Sequence, residues 1–103
     1  MSAEQNLVLY ELEGCPYCLK VRRAMSDLDL SYESRSVSHS RGNRPEVREI
    51  SGQSGVPVLI DREKGIEGMP ESDDIVDYLY EEYGDGQSPP PSGLVGRLLA
   101  TLF

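Results

Sequence analysis

The chain is poor in basic residues, in thiols and in long apolar runs, and each shortage closes off a class of function. Eighteen acidic residues face ten basic ones, of which only Lys20 and Lys64 are lysine, for a formal net charge of −8. A field of that sign repels nucleic acid, so no DNA or RNA binding is expected. The same acidity serves solubility, or suits a salt-rich cytoplasm. No apolar run approaches the roughly 20 residues that a membrane-spanning helix requires, so no helix crossing a membrane is expected. The opening MSAEQNLVLY lacks the basic and apolar regions of a secretory leader, which predicts a cytoplasmic, reducing compartment. Two cysteines, Cys15 and Cys18, cannot build a disulfide framework, so the fold must rest on its core. One CxxC pair and a single histidine, His39, fall short of the about four ligands of a structural zinc site, and no metal is expected. His39 reads as a solvated residue of a polar loop.

What is present is an ordinary globular composition. The 103 residues are 38% apolar and 27% charged, enough for one domain with a modest core. Residues 6–12, NLVLYEL, mix β-branched, aromatic and apolar side chains without a breaker, which predicts a buried strand. Pro16 then suits the first position of a helix running to about Asp29, in which Val21, Met25 and Leu28 recur at helical spacing beside Ala24. A second strand is expected over 30–37, a polar loop over 38–44, and a short helix over 44–52 with Pro45 near its start and Gly52 just past its end. Residues 56–69 read as a hairpin turning at DREKG. The clearest helix spans 71–84: acids crowd its first turn, Ile75, Val76, Leu79, Tyr80 and Tyr83 form its apolar face, and Gly84 stops it.

The order β-α-β-α-β-β-α predicts an α/β sandwich: a mixed four-stranded sheet whose first two strands are parallel, with helices on both faces. The domain is expected over 1–84 and a Pro/Gly/Ser-rich linker over 85–93. The apolar tail over 94–103 is expected to be a short helix docked on the domain, with a membrane-surface contact or a dimer seam as the other readings.

Cys15 and Cys18 fall where the first strand meets the first helix. Two thiols at this spacing can be half a zinc site, a structural disulfide or a redox centre; a strand-to-helix junction in a reducing compartment favours the last. Cys15 is expected at the N-cap, Pro16 at N1 and Cys18 at N3. A thiolate at the N-cap would accept hydrogen bonds from the N–H groups of N2 and N3 and meet the positive helix end, both of which favour the ionised form. Cys18, one turn in and less exposed, is then placed to attack a mixed disulfide formed on Cys15. Pro57, at the entrance of a strand in GVPVL (55–59), is a candidate cis proline. A cis Val56–Pro57 bond would leave the backbone of Val56 free to pair with an extended thiol peptide; a trans turn proline would carry no such meaning.

From about Leu7 to Tyr83, these stretches together resemble the glutaredoxin family of the thioredoxin superfamily. CPYC is similar to the dithiol active site, SGQSGVP to the stretch ending in Thr-Val-Pro, and ESDDIVDYL to the Gly-Gly-Cys-Asp-Asp segment. The resemblance implies a thioredoxin-like fold and a thiol–disulfide oxidoreductase of redox homeostasis and electron transport, with Cys15 as nucleophile. It also implies a cis Pro57, a Val56 that bonds the cysteinyl part of glutathione, Ser72 and Asp73 holding the γ-glutamyl end, and Tyr17 lining the groove. Glutathione or a related γ-glutamyl thiol is the implied co-substrate, with no permanently bound cofactor. Disulfide-containing proteins or small disulfides are the implied partners, and a monomer is expected. Glu71 and Ser72, followed by IVDYL, also resemble the N-terminal domain of glutathione S-transferases, where they would be γ-glutamyl contacts.

The chain departs from the glutaredoxin pattern in two bases and in the Gly-Gly pair, which GMPES replaces. Leu12 stands where glutaredoxins carry lysine, and Ser54 and Gly55 where they carry arginine; both bases would meet the glycyl carboxylate. Either that end is held weakly and γ-glutamylcysteine or a protein reductant serves, or Arg41 and Arg44 replace the lost bases. Two further functions compete. An iron–sulfur cluster carrier of this family resembles its kin in having glycine after the first cysteine, which Pro16 contradicts. A transferase-like thiol-binding domain would be expected to precede an all-helical domain, for which 103 residues leave no room.

Overall fold

A computed structural model describes residues 6–84 of the chain; the linker and tail expected over 85–103 lie outside them. The elements are β1 (Leu7–Glu11), α1 (Pro16–Asp27), β2 (Glu33–Ser36), α2 (Pro45–Ser51), β3 (Val58–Asp61), β4 (Ile66–Met69) and α3 (Ser72–Tyr83). Their order is the one expected from the sequence. The sheet runs β2-β1-β3-β4, with β1 parallel to β2 and antiparallel to β3, and β3 antiparallel to β4.

All five residues of β1 are buried, because both of its faces are covered. Leu7 and Leu9 point to one side and pack with Val21 and Met25 of α1 and with Ile75 and Leu79 of α3. Val8 and Tyr10 point to the other side and pack with Val47 of α2 and Val58 of β3. A strand buried on both faces carries a continuous apolar run rather than an alternating one, which is how NLVLYEL reads. Each fully buried leucine, isoleucine or valine contributes about 1.5–3 kcal/mol, so this two-sided core carries most of the fold.

The second strand is shorter than the 30–37 expected, and the reason is the end of α1. Asp29 takes a left-handed conformation (φ 55°). Its N–H donates to the Ser26 carbonyl at 3.1 Å, and the Leu30 N–H donates to that of Met25 at 2.8 Å. This paired arrangement caps the helix, and it uses residues 29 and 30 to do so. Leu30 and Tyr32 then pack against the core before β2 begins. At the end of α2, Gly52 is the left-handed cap that its position predicts (φ 79°). Helix α2 approaches β4 closely because residue 68 is glycine: a Cβ there would sit 2.2 Å from the carbonyl oxygen of Ile50.

Candidate active site

The loop leaving β1 is closed by the Cys15 N–H, which donates to the Leu12 carbonyl at 3.2 Å, and α1 starts at once. Cys15 is its N-cap, with extended backbone (φ −80°, ψ 119°), and Pro16 follows in the first turn. The expected N-cap hydrogen bonds are not made: the Cys15 side chain caps no N–H. Sulfur is a weaker acceptor than the oxygen of Ser or Asp that usually holds this position.

The two thiols differ in environment. Cys15 is partly exposed and Cys18 is fully buried. Burial pushes the Cys18 thiol up to about 12; a backbone hydrogen bond at Leu12 opposes this, and the neighbouring Cys15 thiol and the charge of Glu11 add to it. Glu11, which the sequence reading passed over as part of a strand, is only 5% exposed. Its carboxylate accepts from Arg22 Nε and from Ser34 Oγ, so it is a buried but compensated charge. Its presence in an otherwise apolar run was the available signal.

A cleft of about 620 Å³ opens beside Cys15. The β1–α1 loop and the start of α1 supply Leu12, Cys15, Tyr17 and Lys20; the loop before α2 supplies His39, Arg41 and Arg44. The approach to β3 adds Gln53, Gly55, Val56 and Pro57, and the start of α3 adds Glu71, Ser72 and Asp73. Of the eight residues singled out from the sequence, Cys15, Tyr17, Val56, Pro57, Glu71, Ser72 and Asp73 meet on this one cleft, and Cys18 is buried behind it. The Val56–Pro57 bond is cis. His39, expected to be a solvated loop residue, is exposed but also lines the cleft.

The basic residues of the cleft are differently engaged. Arg44 is 5% exposed, and its guanidinium donates to the carbonyls of Ser38 and Ser54, both at 2.8 Å, tying the loop before α2 to the approach to β3. Arg41 is exposed, with one guanidinium nitrogen 3.5 Å from where a Cβ on Gly55 would stand. Lys20 of α1 pairs with Asp73 in the first turn of α3, a contact the sequence reading missed because 53 residues separate the two. Glu71, before α3, holds φ 71° without being glycine. Among the described residues no group of three or more His, Cys, Asp or Glu is placed to hold a metal ion, and no helix is long and apolar enough to cross a membrane.

Residues 9–90 match the family described as glutathione S-transferase, N-terminal domain. The chain is 33% identical over 96 residues to glutathione S-transferase DHAR3, chloroplastic, of Arabidopsis thaliana, covering 90% of this chain and 35% of that protein. It is 31% identical over 51 residues to an uncharacterized glutaredoxin-like 8.6 kDa protein of Clostridium pasteurianum, covering 50% of this chain and 68% of that one. The crystal structure of the glutathione transferase URE2P6 from Phanerochaete chrysosporium in complex with oxidized glutathione superposes with a TM-score of 0.76 at 28% identity, over 91% of this chain and 44% of that chain. The chain spans about a third of the length of the curated transferases it matches.

Proposed function

The chain belongs to the glutathione S-transferase N-terminal domain family and has the thioredoxin-like fold, and from that premise we propose that it is a thiol–disulfide oxidoreductase served by a γ-glutamyl thiol such as glutathione. The observation that carries this reading is the asymmetry of the dithiol: Cys15 is open to a cleft, and Cys18 is buried one turn behind it.

The steps follow from that asymmetry. The Cys15 thiolate attacks one sulfur of a substrate disulfide; the new S–S bond forms as the old one breaks, and the leaving thiolate takes a proton from water. The mixed disulfide then has two exits. A second γ-glutamyl thiol, as thiolate, attacks the attached sulfur and releases Cys15. Alternatively Cys18 gives its proton to water and its thiolate attacks the Cys15 sulfur; the Cys15–Cys18 bond forms as the bond to the attached sulfur breaks, and the expelled thiolate takes a proton from water. Burial, the main cause of the raised Cys18 value, persists in the mixed disulfide and holds the Cys18 proton, so the external thiol is the faster exit. Cys18 acts when that thiol is scarce.

The binding reading is residue by residue. Val56 pairs its backbone with the cysteinyl part, Glu71, Ser72 and Asp73 hold the γ-glutamyl end, and Tyr17 lines the groove. Arg41 stands in for the base missing at positions 54 and 55, since its guanidinium reaches the space a side chain on Gly55 would occupy. Glutathione is therefore expected to outperform γ-glutamylcysteine in steady-state reduction of a mixed disulfide, and Arg41→Ala to remove the preference. Equal use of the two thiols by the unaltered protein would point to a weakly held glycyl end instead.

The second reading, a thiol-binding domain of transferase type, is favoured by the family match and by Glu71 and Ser72 at the cleft. One variant separates them. Cys15→Ser abolishes disulfide reduction if Cys15 is the nucleophile, whereas conjugation of glutathione to an electrophile would survive it. Trapping a mixed disulfide with Cys18→Ser identifies the disulfide partner.

A further inference from the structure

Lys20 and Asp73 close an ion pair between α1 and α3, and both side chains line the cleft that Cys15 opens onto. The chain has only two lysines, and the other, Lys64, is spent at 3.5 Å from Glu82, away from the cleft. The Lys20–Asp73 pair is half in water, with side chains 31% and 57% exposed. An ion pair so placed is held by little and exchanges readily.

We propose that Lys20 is a specificity-determining residue that reads the α-carboxylate of the γ-glutamyl group by exchanging partners with it. This rests on the reading that Asp73 meets the γ-glutamyl end of the co-substrate. In the free protein Lys20 holds Asp73 through the carboxylate oxygen Oδ1, so an incoming ammonium competes with Lys20 for that carboxylate. The γ-glutamyl α-carbon carries an ammonium and a carboxylate together. When its ammonium takes Asp73, its carboxylate arrives beside the freed lysine. One ion pair becomes two, and no charge is left alone in the cleft. A thiol with only the ammonium displaces Lys20 and gives it nothing in return; a thiol with only the carboxylate leaves Asp73 where it was. The exchange selects for the intact zwitterion, which neither residue alone would do.

Calorimetric titration of the reduced full-length protein with glutathione and with 4-aminobutyryl-Cys-Gly, which lacks the α-carboxylate, tests this. In Lys20→Met the Kd for glutathione is expected to rise about two- to fivefold, the range of an exposed ion pair. The same variant is expected to bind 4-aminobutyryl-Cys-Gly as tightly as the unaltered protein or more tightly, since Asp73 is no longer occupied. Lys20→Arg should keep the original ratio between the ligands, and matched thermal melts exclude a folding defect. Tighter glutathione binding in Lys20→Met would make Lys20 a mere competitor and overturn the proposal, as would an unchanged ratio. Failure of the unaltered protein to bind glutathione would instead overturn the γ-glutamyl reading on which it stands.

Discussion

Glu71 holds its backbone at φ 71° and ψ 113° at the edge of the cleft. A residue with a Cβ pays about 1–2 kcal/mol to stay in the left-handed half of conformational space. Glycine there relieves the strain but loses more chain entropy on folding, so the two effects nearly cancel. Glu71→Gly is therefore expected to leave the thermal midpoint unchanged or slightly raised while weakening thiol binding. Glu81→Gly, at an exposed position inside α3, should cost about 1 kcal/mol and leave binding alone. Melts and ligand titrations on the pair check both halves. At this scale the sequence was legible wherever a side chain's role depends on its neighbours in the chain. Cys15 as N-cap and Gly52 as left-handed cap follow from local order. The Lys20–Asp73 pair and the burial of Glu11 do not, because α3 and β2 supply the partners.

Between elements, α2 packs tightly on β4 at Gly68, where any Cβ would meet the Ile50 carbonyl oxygen at 2.2 Å. Backbone cannot give way as a flexible side chain does, so Gly68→Ala is expected to destabilise by about 1–3 kcal/mol, read as a lowered denaturation midpoint. Because the loop bearing Arg41 and Arg44 leads directly into α2, the same change should also weaken glutathione binding. The amphipathic faces of α1 and α3 were readable because their apolar residues recur at helical spacing, and Val21, Met25, Ile75 and Leu79 are indeed buried. Strand β2 was overextended by the sequence reading because its first residues look β-like while hydrogen bonds from Asp29 and Leu30 commit the chain to capping α1. Gly68 gave no signal, since a glycine inside a short strand says nothing about which helix lies above it.

For the molecule as a whole, acidity on the surface is matched by protons held tightly inside. Burial raises the Cys18 thiol, and burial together with the Asp61 carboxylate raises the hydroxyls of Tyr78 and Tyr83. Asp61 is fully buried and accepts from Tyr78 at 2.7 Å and Tyr83 at 2.6 Å. Each of these groups is neutral when protonated and binds its proton more firmly folded than unfolded. Their contribution to stability is complete below the ordinary thiol and phenol ranges, about 8.5 and 10, and is lost as pH climbs through the raised values. The thermal midpoint is expected to be level from pH 7 to about 8.5 and to fall steeply above 10. Tyr78→Phe should flatten the fall at the cost of stability at neutral pH, since it leaves Asp61 with one hydroxyl fewer. The overall sandwich was legible because strand order and crossover handedness leave few arrangements for these elements, whereas the residues of the cleft were brought together by what the family resemblance implies.

The most direct measurement is the rate at which the protein reduces a glutathione mixed disulfide with glutathione as reductant, compared among the unaltered chain, Cys15→Ser and Cys18→Ser. Cys18→Ser is expected to retain most of the activity, since the external thiol is the faster exit, and Cys15→Ser to fall to the rate of glutathione alone. Activity that survives Cys15→Ser, or an unaltered protein no faster than free glutathione, would contradict the assignment of Cys15 as the attacking sulfur.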